Sequence, residues 1–254
     1  MSVHTAAQTG FSNEAATYAR GRPSYPSQIE QWLAGDLGIA AGTVVVDLGA
    51  GTGKFTRLLV RSGAEVIAVE PVDAMRAQLR QGLHEVRVVA GTAERTGLDA
   101  GSVDAVVCAQ TFHWFATDAA LAEIHRILKP RGRLGLVWNV RDESVDWVSA
   151  ITRIITPYEG DAPRFYKGDW RRPFDGRYFG PLVMSAFPHQ HVGSAQEVIL
   201  DRFMSVSFVA ALPAPEKAKV LAKLEHLIAS HADLRGRHKV VFPYRTETYR
   251  CTRR

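Results

Sequence analysis

The chain has 254 residues, 46% of them hydrophobic and 22% charged, with a net charge of +5. That balance is ordinary for a globular protein and excludes a disordered, collagen-like or disulfide-scaffold chain. No apolar run approaches the roughly 18 residues that span a bilayer. Residues 1–10 lack a secretory leader pattern, and two cysteines, Cys108 and Cys251, cannot build a four-cysteine zinc site. A cytoplasmic protein without a metal is expected.

Residues 1–140 hold 13 basic and 13 acidic residues, whereas residues 141–254 hold 18 and 13. A basic C-terminal half suits a nucleic acid, an anionic membrane or an acidic small molecule. No block of five like charges occurs, so a solvated surface is the plainer reading.

In chain order, Phe11–Asp36 reads as two short helices broken by Arg22-Pro23-Ser24-Tyr25-Pro26, a cap before the core. Thr43–Leu48 is a β-branched strand running into glycines, and Phe55–Arg61 a helix. Glu65–Glu70 is a second strand, and Asp73–Arg80 a helix with Asp73 as its N-cap. Glu85–Ala90 and Val103–Ala109 are strands three and four. Asp118–Leu128 places Leu121, Ile124, Ile127 and Leu128 at helical spacing. Lys129-Pro130-Arg131-Gly132 ends that helix, with glycine expected in the tight turn. Arg133–Val140 is a fifth strand.

Beyond it, Asp142–Tyr158 reads as a helix and Asp161–Gly180 as a loop or lid. Val183–Gly193 is a strand, Ala195–Val209 and Ala214–Ser230 are helices, and Lys239–Thr252 is a last strand. Strands alternating with helices predict an α/β fold, a doubly wound, mostly parallel, seven-stranded sheet with helical cap insertions. One domain spanning 1–254 is expected, with a cap at 11–36, a binding core at 40–140, an insertion at about 141–235 and the final strand at about 239–252.

The most informative stretch is Asp47-Leu48-Gly49-Ala50-Gly51-Thr52-Gly53, between a strand and a helix. Glycines let the backbone turn sharply and approach a ligand. Glu70 closes the next strand, where a carboxylate can accept hydrogen bonds from both hydroxyls of a ribose. A dinucleotide fingerprint wants G-x-G-x-x-G, but the third glycine comes one position early. Gly53-Lys54 imitates a P-loop, yet Leu48 and Phe55 replace its first glycine and its hydroxyl residue. The remaining D-x-G-x-G-x-G pattern sets Asp47 beside the loop. That favours a cationic amino acid group over a pyrophosphate.

DLGAGTG followed by VIAVEP resembles the class I S-adenosylmethionine-dependent methyltransferases. The segments FSNEAATYARGRPSYP, GTAERTGLDAGSVDAVVCAQTFHWF and HRILKPRGRLGLVWN are similar to the type-11 small-molecule branch, which includes enzymes akin to trans-aconitate and cantharidin-detoxifying methyltransferases. The resemblance implies transfer of a methyl group from S-adenosylmethionine to a small-molecule acceptor, leaving S-adenosylhomocysteine. It implies that Gly49, Ala50, Gly51, Thr52 and Gly53 pack on the methionine part of the cofactor and that Asp47 holds its ammonium. Glu70 would bind the ribose, Pro71 and Met75 flank the adenine, and Thr92, Ala93 and Glu94 read it. Gln110 lies beside the methyl, while Tyr18 and Arg22 reach the cofactor carboxylate from the cap.

His113 follows the fourth strand and is either a general base for a phenol or acidic carbon, or part of the pocket wall. Arg164, Arg171 and Arg172 are candidates for holding a carboxylate or phosphate. Trp138, Trp147, Tyr158, Phe165, Tyr166 and Trp170 are candidate pocket walls or core residues. A nucleic acid methyltransferase is the alternative, although Gln110-Thr111-Phe112-His113 is not the [DNS]-P-P-[FYW] loop of amine-methylating enzymes. A non-catalytic S-adenosylmethionine-binding protein is another, and a nicotinamide oxidoreductase a third. His189-x-His191 lacks metal partners nearby. The sequence is silent on the accepting atom and on oligomeric state.

Overall fold

The computed structural model describes residues 21–254; Tyr18 and the first part of the cap lie outside them. Its elements are α1 (Gln28–Leu37), β1 (Val44–Leu48), α2 (Thr56–Arg61), β2 (Glu65–Val69), α3 (Asp73–Gly82), β3 (Arg87–Val89), β4 (Val103–Ala109), α4 (Asp118–Ile127), β5 (Leu128–Arg141), α5 (Asp146–Ile155), β6 (Val183–Gly193), α6 (Ala214–Ser230) and β7 (Val240–Thr252). They form one seven-stranded sheet in the order β3-β2-β1-β4-β5-β7-β6. The first five strands pair in parallel. β7 runs antiparallel between β5 and β6.

The alternation read from the sequence follows from burial on both sheet faces. On one face, Trp32, Leu33 and Leu37 of α1 pack with Leu58 and Leu59 of α2, Leu79 of α3 and the alternate residues Val45, Ala105 and Val137. On the other, Leu121, Ile124 and Ile127 of α4 pack against Val46, Val106 and Leu136, together with Trp138 and Trp170. A third apolar cluster joins Trp147, Val148 and Ile151 of α5, Val220 and Leu224 of α6, and Phe242 and Tyr244 of β7. Among the described residues no helix is long and apolar enough to cross a membrane.

Three local expectations change. Asp73 is not the N-cap of α3; Val72 occupies that position without a side-chain cap, and Asp73 pairs with Arg76 instead. Pro130 lies within β5, where the register shifts, and Arg131, not Gly132, takes the left-handed conformation with φ 64°. Gly132 is required for another reason, because a Cβ there would come within 2.8 Å of the Lys129 carbonyl. The helix expected over Ala195–Val209 is broken into a π-helical segment Gln196–Asp201 and two short helical pieces, Arg202–Met204 and Ser207–Ala210. Three successive residues, Val198, Ile199 and Leu200, are buried there, a pattern that one face of an α-helix cannot satisfy.

Candidate functional site

The chain leaves β1 toward β2 and β3, then returns to β4 on the other side of β1. That reversal opens a crevice beyond the carboxyl ends of the strands, the place where open α/β sheets bind ligands. A cavity of about 180 Å³ lies there, lined by Asp47, Gly49, Ala50, Gly51 and Thr52 after β1 and by Glu70, Pro71 and Met75 after β2. Thr92, Ala93 and Glu94 after β3, Gln110 after β4 and Arg22 from the cap complete the predicted set on its walls.

Gly53 is the exception. It is not on the cavity wall; with φ +84° it turns so that a Cβ would meet Leu83 at 3.0 Å and Leu79 at 3.1 Å. Its role is to let the loop pack on α3. Gly51 is the opposite case. With φ +58°, its Cβ would meet only the Met75 sulfur at 3.8 Å, so the space over it belongs to the cavity. Gly51→Ala should therefore lower affinity for S-adenosylhomocysteine at least tenfold, at a left-handed backbone cost of about 1–2 kcal/mol. Calorimetry and a thermal melt on the same variant separate the two effects.

The carboxylates at the strand ends are held firmly. Glu70 accepts the Gly51 amide at Oε2 and the Val72 amide at Oε1, both at 2.9 Å, so it fixes the glycine loop relative to β2. Burial raises its pKa, opposed by those two amides and by the charge of Arg76. Asp47 is almost fully buried and accepts the Thr56 hydroxyl at 2.6 Å. Burial pushes its pKa up to about 7, with the Thr56 bond opposing and the Glu70 charge adding. The turn after β3 is closed by reciprocal bonds between Thr92 and Arg95. Glu123 of α4 supports it by accepting both the Thr96 hydroxyl and amide.

Sequence reasoning missed several wall residues. Lys54, dismissed as P-loop mimicry, lines the cavity and donates to the Arg22 carbonyl. Burial and the charges of Arg22, Arg202 and Arg57 lower its pKa to about 8. Asn139 donates to the Ser24 carbonyl at 2.8 Å and accepts from Thr246 at 2.6 Å, tying the cap to β7. Gln110 adopts φ 63°, a left-handed conformation that costs a non-glycine residue energy and recurs at ligand sites.

A second cavity, of about 130 Å³, adjoins the first; both are lined by Arg22, Gln110, Trp114, Asn139 and Arg202. His113 lies on the wall of the second. Its Nδ1 accepts the Trp138 indole N–H at 3.1 Å, so the neutral ring carries its proton on Nε2. Burial lowers its pKa to about 3, with the charges of Arg164 and Arg22 adding to the effect. Such a ring is a poor base and offers its Nε2–H only as a hydrogen-bond donor.

Trp138, Phe165, Tyr166 and Arg164 also line the second cavity, whereas Trp147 and Trp170 are core. Arg171 stacks over Trp170 and bonds Tyr249, and Arg172 is an exposed partner of Asp169. Neither forms part of the described cavities.

The donor set fits a cationic nucleoside. It offers two buried carboxylates about a backbone loop, a gap over Gly51 and an apolar flank at Met75. The type-11 methyltransferase domain family matches residues 46–136. An uncharacterized methyltransferase-like protein of Schizosaccharomyces pombe is 39% identical over 94% of this chain and 93% of its own length. An uncharacterized methyltransferase of Mycobacterium tuberculosis is 37% identical over 95% of each. Among solved structures, phosphoethanolamine N-methyltransferase 2 of Haemonchus contortus, bound to S-adenosylhomocysteine and phosphomonomethylethanolamine, shares the fold. The TM-score is 0.58 at 13% identity, over 99% of this chain and 60% of that one.

The chain belongs to the class I S-adenosylmethionine-dependent methyltransferases, and S-adenosylmethionine is its cofactor.

Proposed function

We propose that the protein methylates a small molecule, bound in the second cavity, by direct in-line displacement. The observation that carries this reading is the junction of the two cavities at Gln110, Trp114 and Asn139. A methyl donor in the first cavity and an acceptor in the second would meet there. The second cavity is walled by side chains from β5, the Arg164–Tyr166 turn and the Arg202–Ser207 segment, an enclosure suited to a small acceptor.

S-adenosylmethionine supplies an electrophilic methyl group on a sulfonium, a leaving group that needs no general acid. The protein contributes position. Glu70 and the Gly49–Thr52 loop bind the nucleoside and amino acid ends, and Asp47 favours the cationic end. Trp114 lines the junction, and Phe165 supplies an apolar wall to the second cavity. Holding two reactants in line supplies roughly 7–11 kcal/mol of barrier reduction. His113 donates a hydrogen bond from Nε2 to the acceptor instead of taking its proton, because its other nitrogen accepts from Trp138.

Titration with S-adenosylmethionine, S-adenosylhomocysteine and NADH tests the cofactor assignment at this cavity. Micromolar binding of the first two without the third is expected; binding of NADH alone would overturn it. An acceptor panel read by formation of S-adenosylhomocysteine then tests the small-molecule assignment.

The pKa of Asp47 gives a pH dependence with a defined sign. Its folded pKa of about 7 lies above the ordinary value of 3.8, so its stability contribution is complete below pH 3.8 and is lost as the pH rises through 7. The charged form that costs stability is the form that attracts a cation. Affinity for S-adenosylmethionine should therefore rise about tenfold between about pH 6 and about pH 8, with proton release on binding near the lower end. Asp47→Asn should bind more weakly at the higher pH and lose that slope. Calorimetry in two buffers of different ionisation enthalpy reads both quantities.

A further inference from the structure

We propose that the second cavity selects an acceptor bearing an anionic group, a carboxylate or a phosphate, and seats that group at Arg141 and Arg164. The proposal rests on the reading of this cavity as the acceptor site. Four arginines line it, Arg22, Arg141, Arg164 and Arg202, against one acidic side chain, Glu143. They come from four separate segments of the chain, so no local charge run explains their meeting. Guanidinium groups stay charged in proteins and are costly to bury without partners. Here the side chains of Arg141 and Arg164 are only 13% and 19% exposed.

The charge already present does not balance this cluster. Glu143 reaches Arg141 only at 3.6 Å and is itself half exposed. Glu159 lies 3.4 Å from Arg164 but is shared with Lys167 at 2.9 Å and with the Tyr166 hydroxyl at 2.5 Å. Nε and Nη1 of Arg202 are buried without a hydrogen-bond partner among the described residues, and Nε of Arg164 has only the loose 3.4 Å ion pair to Glu159 in place of a hydrogen bond. Arg141 and Arg202 lie over Phe203 and Arg164 over Phe208. Stacking occupies the guanidinium faces and leaves N–H edges to be satisfied by hydrogen bonds. Burial and repulsion from Arg202 lower the Arg141 pKa to about 10. His113 adds a neutral donor at Nε2 on the same wall. A planar carboxylate or a phosphate supplies the acceptors that this set lacks.

The test is calorimetry on the full chain saturated with S-adenosylhomocysteine, using benzoate, phenyl phosphate and benzyl alcohol as probes of matched ring and different charge. At least one anion should bind tenfold or more tighter than the alcohol, and the preferred anion identifies the group as carboxylate or phosphate. The double variant R141Q/R164Q should lose roughly tenfold or more of that affinity while keeping its affinity for S-adenosylhomocysteine. Equal binding of the alcohol, no binding of either anion at millimolar concentration, or undiminished anion binding by the folded double variant would overturn the proposal. The anion-to-alcohol comparison on the unmodified protein decides it even where the double variant does not fold. Failure of S-adenosylhomocysteine itself to bind would instead remove the site reading, and the proposal with it.

Discussion

Trp138→Ala is expected to destabilise the protein by about 3–5 kcal/mol, lowering the melting midpoint by roughly 10 °C in a chain of this size. Trp138 is 1% exposed and sits in an aromatic stack, 4.7 Å from Phe165, 4.7 Å from Trp170 and 5.9 Å from Tyr249 between ring centroids. Losing the indole removes its dispersion contacts and leaves a cavity between β5 and the Arg164–Arg171 region. The same residue reaches the proposed acceptor site through its N–H, which fixes the His113 tautomer.

Trp138→Phe separates the two contributions. It keeps most of the ring and deletes the donor, leaving Nδ1 of His113 buried without its partner, a cost of about 1–3 kcal/mol. Nitrogen chemical shifts of the His113 ring should then lose the single-tautomer pattern. An unchanged tautomer in Trp138→Phe would mean that something other than Trp138 sets the protonation of His113.

The lining of the first cavity was legible because its determinants are local. A strand, a glycine loop and an acidic residue at the end of the next strand all lie within Asp47–Glu70, and parallel pairing of β1 with β2, Asp47 opposite Ala68, brings them together without further information. Gly53 was misread for the same reason. Sequence spacing shows that the loop needs left-handed residues, but not which of them face the ligand and which face α3.

The arginine cluster of the proposed acceptor cavity was not legible. Its arginines are separated by up to 180 residues and meet only in the folded chain, Arg202 directly following the π-helical segment Gln196–Asp201 and lining the cavity with Arg22, Arg141 and Arg164. Arg164 stood out as a candidate anion holder beside Arg171 and Arg172, which turned elsewhere, and Arg22 was expected at the cofactor, but nothing marked Arg141 or Arg202. Gln110 shows a related limit, since a left-handed glutamine has no sequence signature when glycine is the residue that advertises that conformation.

Glu70→Ala should have the largest effect on binding, a loss of at least a hundredfold in affinity for S-adenosylhomocysteine. Two charge-assisted hydrogen bonds to a ribose are worth about 1.5–3 kcal/mol each, and the substitution also releases the loop. In the folded protein the carboxylate accepts the Gly51 and Val72 amides, so its removal leaves both donors without that acceptor at the mouth of the cavity. Burial works the other way, because the carboxylate carries a desolvation cost that alanine escapes. The melting midpoint should therefore move far less than the affinity. Glu70→Gln tests the division. It keeps the shape but turns one acceptor into an NH₂ group facing a backbone N–H, so it should bind nearly as poorly as the alanine variant despite filling the same space. Full affinity in Glu70→Gln would show that the residue acts by packing and not by accepting hydrogen bonds, and would remove the ribose assignment.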